Sequence, residues 1–200
     1  MSALPRPKLT VAEYLARGRT AEFKSEYYRG ETFAMAGAST QHVSVAVNML
    51  GELHARLKGS PCKVVSNDQW VKVSATGLYT YPDAAIVCGK AEYDSVDPDT
   101  LLNPVVIIEV LSPSTENYDR GAKFRQYQQI PSLKEYVLVS QDEPLIERFV
   151  RQPDESWNLT ILSGLTGDLV FATVPARIPL ADIYTGVEFP PEPPRGPRPG

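Results

Sequence analysis

Val105-Val106-Ile107-Ile108-Glu109-Val110-Leu111 is the most apolar run in the chain, and it carries one carboxylate. Four β-branched residues in succession suit a central strand buried on both faces. Ser112-Pro113-Ser114 ends the run, a helix is expected from about 117 to 129, and Pro131 stops it. Glu135 to Ser140, reading EYVLVS, gives a second buried strand. Strand, helix and strand in that order call for a parallel pair joined by a right-handed crossover. The expected fold class is therefore α/β, a mixed central β-sheet flanked by helices.

Outward from this unit, shorter strand-like runs lie at Cys62 to Ser66, Trp70 to Val73, Ala84 to Cys88, Ile146 to Arg151 and Trp157 to Leu162, and supply an antiparallel edge. Upstream, Ser39 or Thr40 caps a helix whose expected core stripe is Val43, Ala46, Val47, Leu50, Leu53 and Leu57. Lys58-Gly59-Ser60-Pro61 stops it. Thr10 and Glu13 have capping-box spacing for a short helix, and Phe23 to Tyr28 and Glu31 to Met35 read as strands around an Arg29-Gly30 turn. Residues 1–188 read as a single domain. The last twelve residues, FPPEPPRGPRPG, hold six prolines and two glycines. Such a segment lacks backbone donors and cannot build a core, so 189–200 is expected to be an extended or disordered tail.

Composition narrows the function. A chain of 200 residues can bury about 70% of its unfolded surface without a staple. With 20 basic against 24 acidic residues the net charge is −4, which excludes nucleic-acid binding by bulk positive charge but leaves room for a local basic cleft. Such a patch, +3, runs from Asp119 to Lys134, with Arg120, Lys123, Arg125 and Lys134 against Asp119. Cys62 and Cys88 have no paired spacing, so neither a disulfide framework nor a thiolate zinc site is implied. No apolar run approaches the 18 residues of a membrane span, and the N-terminus lacks a signal-peptide core. A soluble protein of the reducing cytoplasm is expected, with no membrane contact.

Glu109 is the chemical anomaly. A carboxylate inside such a strand costs several kcal/mol to bury unpaired. It could join a structural ion pair, lie at an exposed strand end, or coordinate a metal. Asp83 follows Tyr81-Pro82 and opens the apolar run Ala84 to Val87, so it too stands beside a buried strand, unless it is only a turn residue. Two carboxylates entering one cleft repel each other unless a cation sits between them, and hard oxygen ligands select Mg²⁺ or Mn²⁺. Lys123 sits early in the helix after the Glu109 strand, where it either returns over the strand's carboxyl end or faces solvent near Asp119 and Arg120. Tyr127 lies one turn further on the same helix face, as an accessory or packing residue.

The ordered series YRGETFAMAGASTQH, YPDAAIV, PVVIIEVLSPST and DRGAKFRQYQQIPSLKEYVLV resembles the Uma-two family of restriction endonucleases, within the PD-(D/E)XK nuclease superfamily. The resemblance covers most of the chain, about 10–183, and implies a restriction-endonuclease-like core that hydrolyses DNA phosphodiester bonds. By resemblance, Asp83 and Glu109 match the superfamily's two acids and would hold Mg²⁺, with Mn²⁺ as a substitute. The superfamily's lysine usually follows the second acid by two residues, but Leu111 stands there; Lys123 fits a version in which the lysine has migrated to the next helix. Glu26 matches an N-terminal glutamate that can join the acidic cluster, and is otherwise a solvated strand residue. His42 falls in the STQH element at a helix start, where the helix lowers imidazole basicity and favours a neutral hydrogen-bonding role. A homodimer through an edge strand or helix is a further expectation. The competing function is a catalytically silent module on the same fold that binds nucleic acid or protein. A weaker one is a metal-dependent hydrolase of small phosphorylated molecules.

Overall fold

A computed structural model describes residues 8–35 and 37–189. The proline-rich segment expected to form a tail lies outside the described residues, apart from Phe189, whose ring packs on Tyr184. In chain order the elements are α1 (Val11–Gly18), β1 (Ser25–Tyr28), β2 (Glu31–Ala34), α2 (Thr40–Leu57), β3 (Cys62–Ser66), β4 (Trp70–Val73), β5 (Leu78–Thr80), β6 (Ala84–Cys88), β7 (Thr100–Leu101) and β8 (Val106–Leu111). There follow α3 (Glu116–Tyr118), a π-helical turn (Asp119–Lys123), α4 (Phe124–Tyr127), β9 (Glu135–Ser140), β10 (Leu145–Arg151), β11 (Trp157–Ser163), β12 (Asp168–Val170), β13 (Arg177–Pro179) and α5 (Leu180–Ile183).

The strand–helix–strand unit has the expected topology. β8 lies in the middle of a six-stranded sheet of order β11-β10-β9-β8-β6-β3, parallel to β9 and antiparallel to β6. All six residues of β8 are buried. A second sheet, order β2-β1-β5-β4-β7, was not legible as a separate layer. Its β5 and β7 have three and two residues, too short for an alternating pattern to register.

Alternation along β8 sorts its side chains into two apolar layers. Val106, Ile108 and Val110 pack toward α2, whereas Ile107 and Leu111 face a layer shared with Val71, Val73 and Leu78 of the second sheet and with Phe124, Tyr127 and Tyr136. Glu109 occupies the second face, between the sheets, on the alternation of the strand. Beyond the second sheet, α1 closes a third layer of Tyr14, Leu15, Tyr27, Trp70, Tyr79 and Tyr81.

Three expectations are corrected. The buried stripe of α2 is Val45, Met49, Leu53 and Leu57, while Val43 and Val47 are exposed. Valines on both sides made either stripe apolar, and packing against β3 and β8 chose the one at four-residue spacing. The helix expected over 117–129 is interrupted by the π turn at Asp119–Lys123, an insertion of the kind common at functional sites. Finally, Cys62 and Cys88 form a disulfide. Twenty-six residues apart, they are direct partners across the antiparallel β3–β6 pair, a proximity that sequence spacing does not show.

Arg29 and Gly30 adopt positive φ values of 51° and 89° and close the β1–β2 hairpin as the sequence indicated. A Cβ at Gly30 would lie 2.7 Å from Lys8 Cβ, so the turn also admits no larger residue there. No described helix is long and apolar enough to cross a membrane.

Candidate active site

The layer between the two sheets holds a compact polar cluster fed by four parts of the chain. β8 delivers Glu109, β1 delivers Glu26, the link between β5 and β6 delivers Asp83, and the π turn delivers Asp119 and Lys123. Glu26, Glu109, Asp119 and Lys123 are all buried.

Lys123 is the hub. Its Nζ lies 2.9 Å from Glu109 Oε1, 3.1 Å from Glu26 Oε1 and 3.5 Å from Asp119 Oδ1. Three carboxylates thus surround one ammonium. The Lys123 reading that placed it in solvent is thereby corrected: the crossover carries it back over the strand. Burial alone would lower its pKa, but the surrounding acids, Glu109 foremost, outweigh that and raise it well above the ordinary lysine value.

Glu109 accepts a second bond at Oε1 from the Tyr127 hydroxyl at 2.7 Å. Burial pushes its pKa up to about 8; Lys123 opposes the shift, while Asp119 and Asp83 add to it. Glu26 is not a solvated strand residue. It accepts from Thr80 Oγ1 at 2.6 Å and from the Tyr118 hydroxyl at 2.9 Å. Burial works to raise its pKa, yet Lys123 and these donors hold it below the usual glutamate value.

Asp83 is held by the strand beside it. Its Oδ2 accepts from the Val110 backbone N–H at 2.7 Å, and its own N–H points at Glu109 Oε2 from 3.4 Å. The two acids are thus adjacent through the β6–β8 pairing. Asp83 Oδ1 lies 3.1 Å from His42 Nε2. His42 is fixed at the start of α2, where its N–H donates to the capping Ser39 Oγ, itself bonded to Gln141. The expected loss of basicity does not occur. Burial disfavours the imidazolium, but the hydrogen bond and charge of Asp83 more than offset it, and the pKa is raised.

The sequence reading passed over Asp119 as a cluster member, although its place four residues before Lys123 was a usable signal. Thr80 and Tyr118 carried no such signal, because their partner lies on β1, far away in sequence.

Three acids face Lys123 and a fourth, Asp83, adjoins Glu109, an acid-rich buried volume that would favour a divalent cation. Among the described residues no group of three or more His, Cys, Asp or Glu converges as a ready ligand set. The best-placed donors are Asp83 Oδ1, which has His42 Nε2 3.1 Å away and would have to release or share it, and Glu109 Oε2, which is approached by the Asp83 N–H at 3.4 Å. Two carboxylate oxygens with the remaining positions left to water and phosphate suit Mg²⁺, which rarely takes an all-protein cage.

Comparison with known proteins agrees with this architecture. The model of a family described as "Uma2: Putative restriction endonuclease" matches residues 11–176. Two proteins of Synechocystis sp. (strain ATCC 27184 / PCC 6803 / Kazusa) are similar over most of their length. "Uncharacterized protein slr1290" is 34% identical over 186 residues, 92% of this chain and 96% of the relative. "Uncharacterized protein sll1609" is 32% identical over 164 residues, 82% of this chain and 93% of the relative. Among solved structures, the fold matches "a putative nuclease belonging to DUF820" from Anabaena variabilis ATCC 29413 with a TM-score of 0.69 at 12% identity, covering 88% of this chain and 97% of that one. That last likeness is one of fold.

Proposed function

We propose that this chain, which belongs to the Uma2 family, is a Mg²⁺-dependent endonuclease that hydrolyses DNA phosphodiester bonds at the Glu26–Asp83–Glu109–Lys123 cluster. The observation that carries the reading is the convergence on one buried lysine of acids from two sheets, beside an adjoining Asp83–Glu109 pair whose hard oxygens suit a divalent cation. Mg²⁺ held there would lower the pKa of a bound water and polarise the scissile phosphate. Val110 N–H fixes Asp83 Oδ2, and His42 holds Oδ1, the oxygen that would pass to the ion when His42 releases or shares it. Tyr127 and Lys123 hold Glu109 in one rotamer. Lys123, charged and anchored by Glu26 and Asp119, places a positive charge where negative charge builds on the phosphate in the transition state. Mn²⁺ is expected to replace Mg²⁺, and the place of action to be the cytoplasm, whose thiol pool would act to open the Cys62–Cys88 bridge.

A second reading, a silent nucleic-acid or protein-binding module, draws on one fact: Lys123 is already ion-paired with three carboxylates, so the cluster also serves as a buried structural core. Supercoiled plasmid incubated with Mg²⁺, Mn²⁺ or EDTA separates the two. Nicking that requires metal and falls at least a hundredfold in Asp83→Asn and Glu109→Gln is expected for the nuclease. Wild-type protein that nicks nothing in either metal, while remaining folded, would sink it.

A further inference from the structure

The acid cluster is not equally closed on all sides. The side chains of Glu26, Glu109, Asp119 and Lys123 are each 5–8% exposed, whereas those of Asp83 and His42 are 14% and 16% exposed. The open side of the cluster is therefore the Asp83–His42 rim. There Asp83 Oδ1, the oxygen best placed for a cation, already lies 3.1 Å from His42 Nε2. The arrangement as it stands is shut: among the described residues no three His, Cys, Asp or Glu side chains converge as a ligand set.

The two basic side chains that cover the acids differ in how firmly they are held. Lys123 is tied to three carboxylates in the interior. The His42 ring is held at one nitrogen, since Nδ1 makes no hydrogen bond to a described residue, and its backbone is pinned separately by the Ser39 Oγ cap at 3.1 Å. The ring can thus turn away without disturbing α2. Asp83 does not need the ring to keep its own place, because the Val110 N–H holds Oδ2 at 2.7 Å. A histidine that ligates a metal has its second ring nitrogen fixed by a partner. As a ligand through Nδ1, His42 would have to keep Asp83 on Nε2, which withdraws from the ion the oxygen it needs.

We infer that His42 is the gate of the cation site: its imidazole holds Asp83 Oδ1 in the metal-free chain and competes with a divalent cation for that oxygen, without ligating the ion. This inference rests on the cation of the nuclease reading and adds what controls its occupancy. A hydrogen bond to a carboxylate is worth about tenfold or more in an equilibrium constant, and this one must break before Asp83 gains the ion. In dilute cation the acids stay covered by the chain's own side chains.

The test is Mn²⁺ binding by the full chain without DNA, read from the electron paramagnetic resonance signal of the free ion. His42→Ala is expected to bind about tenfold more tightly than wild type. His42→Gln, whose amide nitrogen can donate to the same oxygen, should return close to the wild-type affinity. The pulsed resonance spectrum of Mn²⁺ on wild type, which needs no variant, should show no coordinated histidine nitrogen. Weaker binding by His42→Ala, or a coordinated nitrogen, would make His42 a ligand and overturn the inference. Equal affinity in all three proteins would make it a bystander and overturn it too. So would a His42→Ala chain, folded by circular dichroism, that binds no Mn²⁺, since the bared Asp83 should be the better site. Because binding is read without DNA, a His42→Ala chain that binds tightly beside a wild type that nicks nothing would count against hydrolysis alone. Metal-dependent nicking by a wild type whose Mn²⁺ affinity ignores His42 would count against the gate alone.

Discussion

Glu109 shows how one side chain reads its surroundings. In the strand it replaces an apolar residue, and the layer between the sheets gives it no water. Its pKa of about 8 stands well above the ordinary glutamate value, so without metal the folded protein holds a proton that the unfolded chain releases at about 4.5. Stability should therefore fall as pH rises from about 4.5 through 8, and Glu109→Gln should remove that part of the slope. Thermal or urea unfolding of both proteins across pH 5–9 in EDTA checks the sign. The wild-type curve should decline relative to the variant, by at most about 1.4 kcal/mol per pH unit. Added Mg²⁺ should flatten the difference at high pH, because an ion between Asp83 and Glu109 favours the charged form. Sequence alone made this residue legible as an anomaly and left three explanations open. What it lacked was the partner list, since Glu26 and Tyr127 arrive from 83 residues before and 18 after.

Among the elements, the π turn matters most to the site. In an unbroken α-helix Asp119, Lys123 and Tyr127 would also share a face; the π turn sets the angle at which Asp119 and Lys123 enter the layer between the sheets, while α4 keeps Phe124 and Tyr127 in the core. Removing one residue from the turn should restore α register and rotate Lys123 by about 100° away from Glu26 and Glu109. Gly121 is the residue to delete, because it is only half-buried and a Cβ there would meet only the Arg125 guanidinium, at 3.9 Å. The variant is expected to keep its far-ultraviolet circular dichroism and lose metal-dependent nicking. Retained nicking would show that Lys123 is not needed at that point. A π turn cannot be read from a hydrophobic pattern. Asp119-Arg120-Gly121-Ala122-Lys123 fits an ordinary helix equally well, so the acid and the lysine were legible as helix neighbours and the turn that carries them inward was not.

Over the whole molecule, the Cys62–Cys88 bridge closes a segment that leaves the six-stranded sheet at β3, builds β4 and β5 of the other sheet, and returns at β6. A loop of that length should stabilise the fold by roughly 3 kcal/mol through the entropy of the unfolded chain. Dithiothreitol, or the paired change Cys62→Ala with Cys88→Ala, should lower the unfolding free energy by that amount in denaturant melts, and leave the cluster intact. The central α/β unit was legible because long, fully buried strands announce themselves. The division into two sheets was not, because it depends on short strands whose pairing is decided by contacts distant along the chain.

Glu26 stands on one sheet and Asp83 and Glu109 stand on or beside the other, with Tyr81–Asp83 as the joint between them. A nascent or partly unfolded chain with only one sheet in place has half the acids and no seat for Lys123. On the nuclease reading, chemistry is interlocked with assembly: the cluster exists only once both sheets are in place, and any event that pries the two layers apart would dismantle it before the chain unfolds.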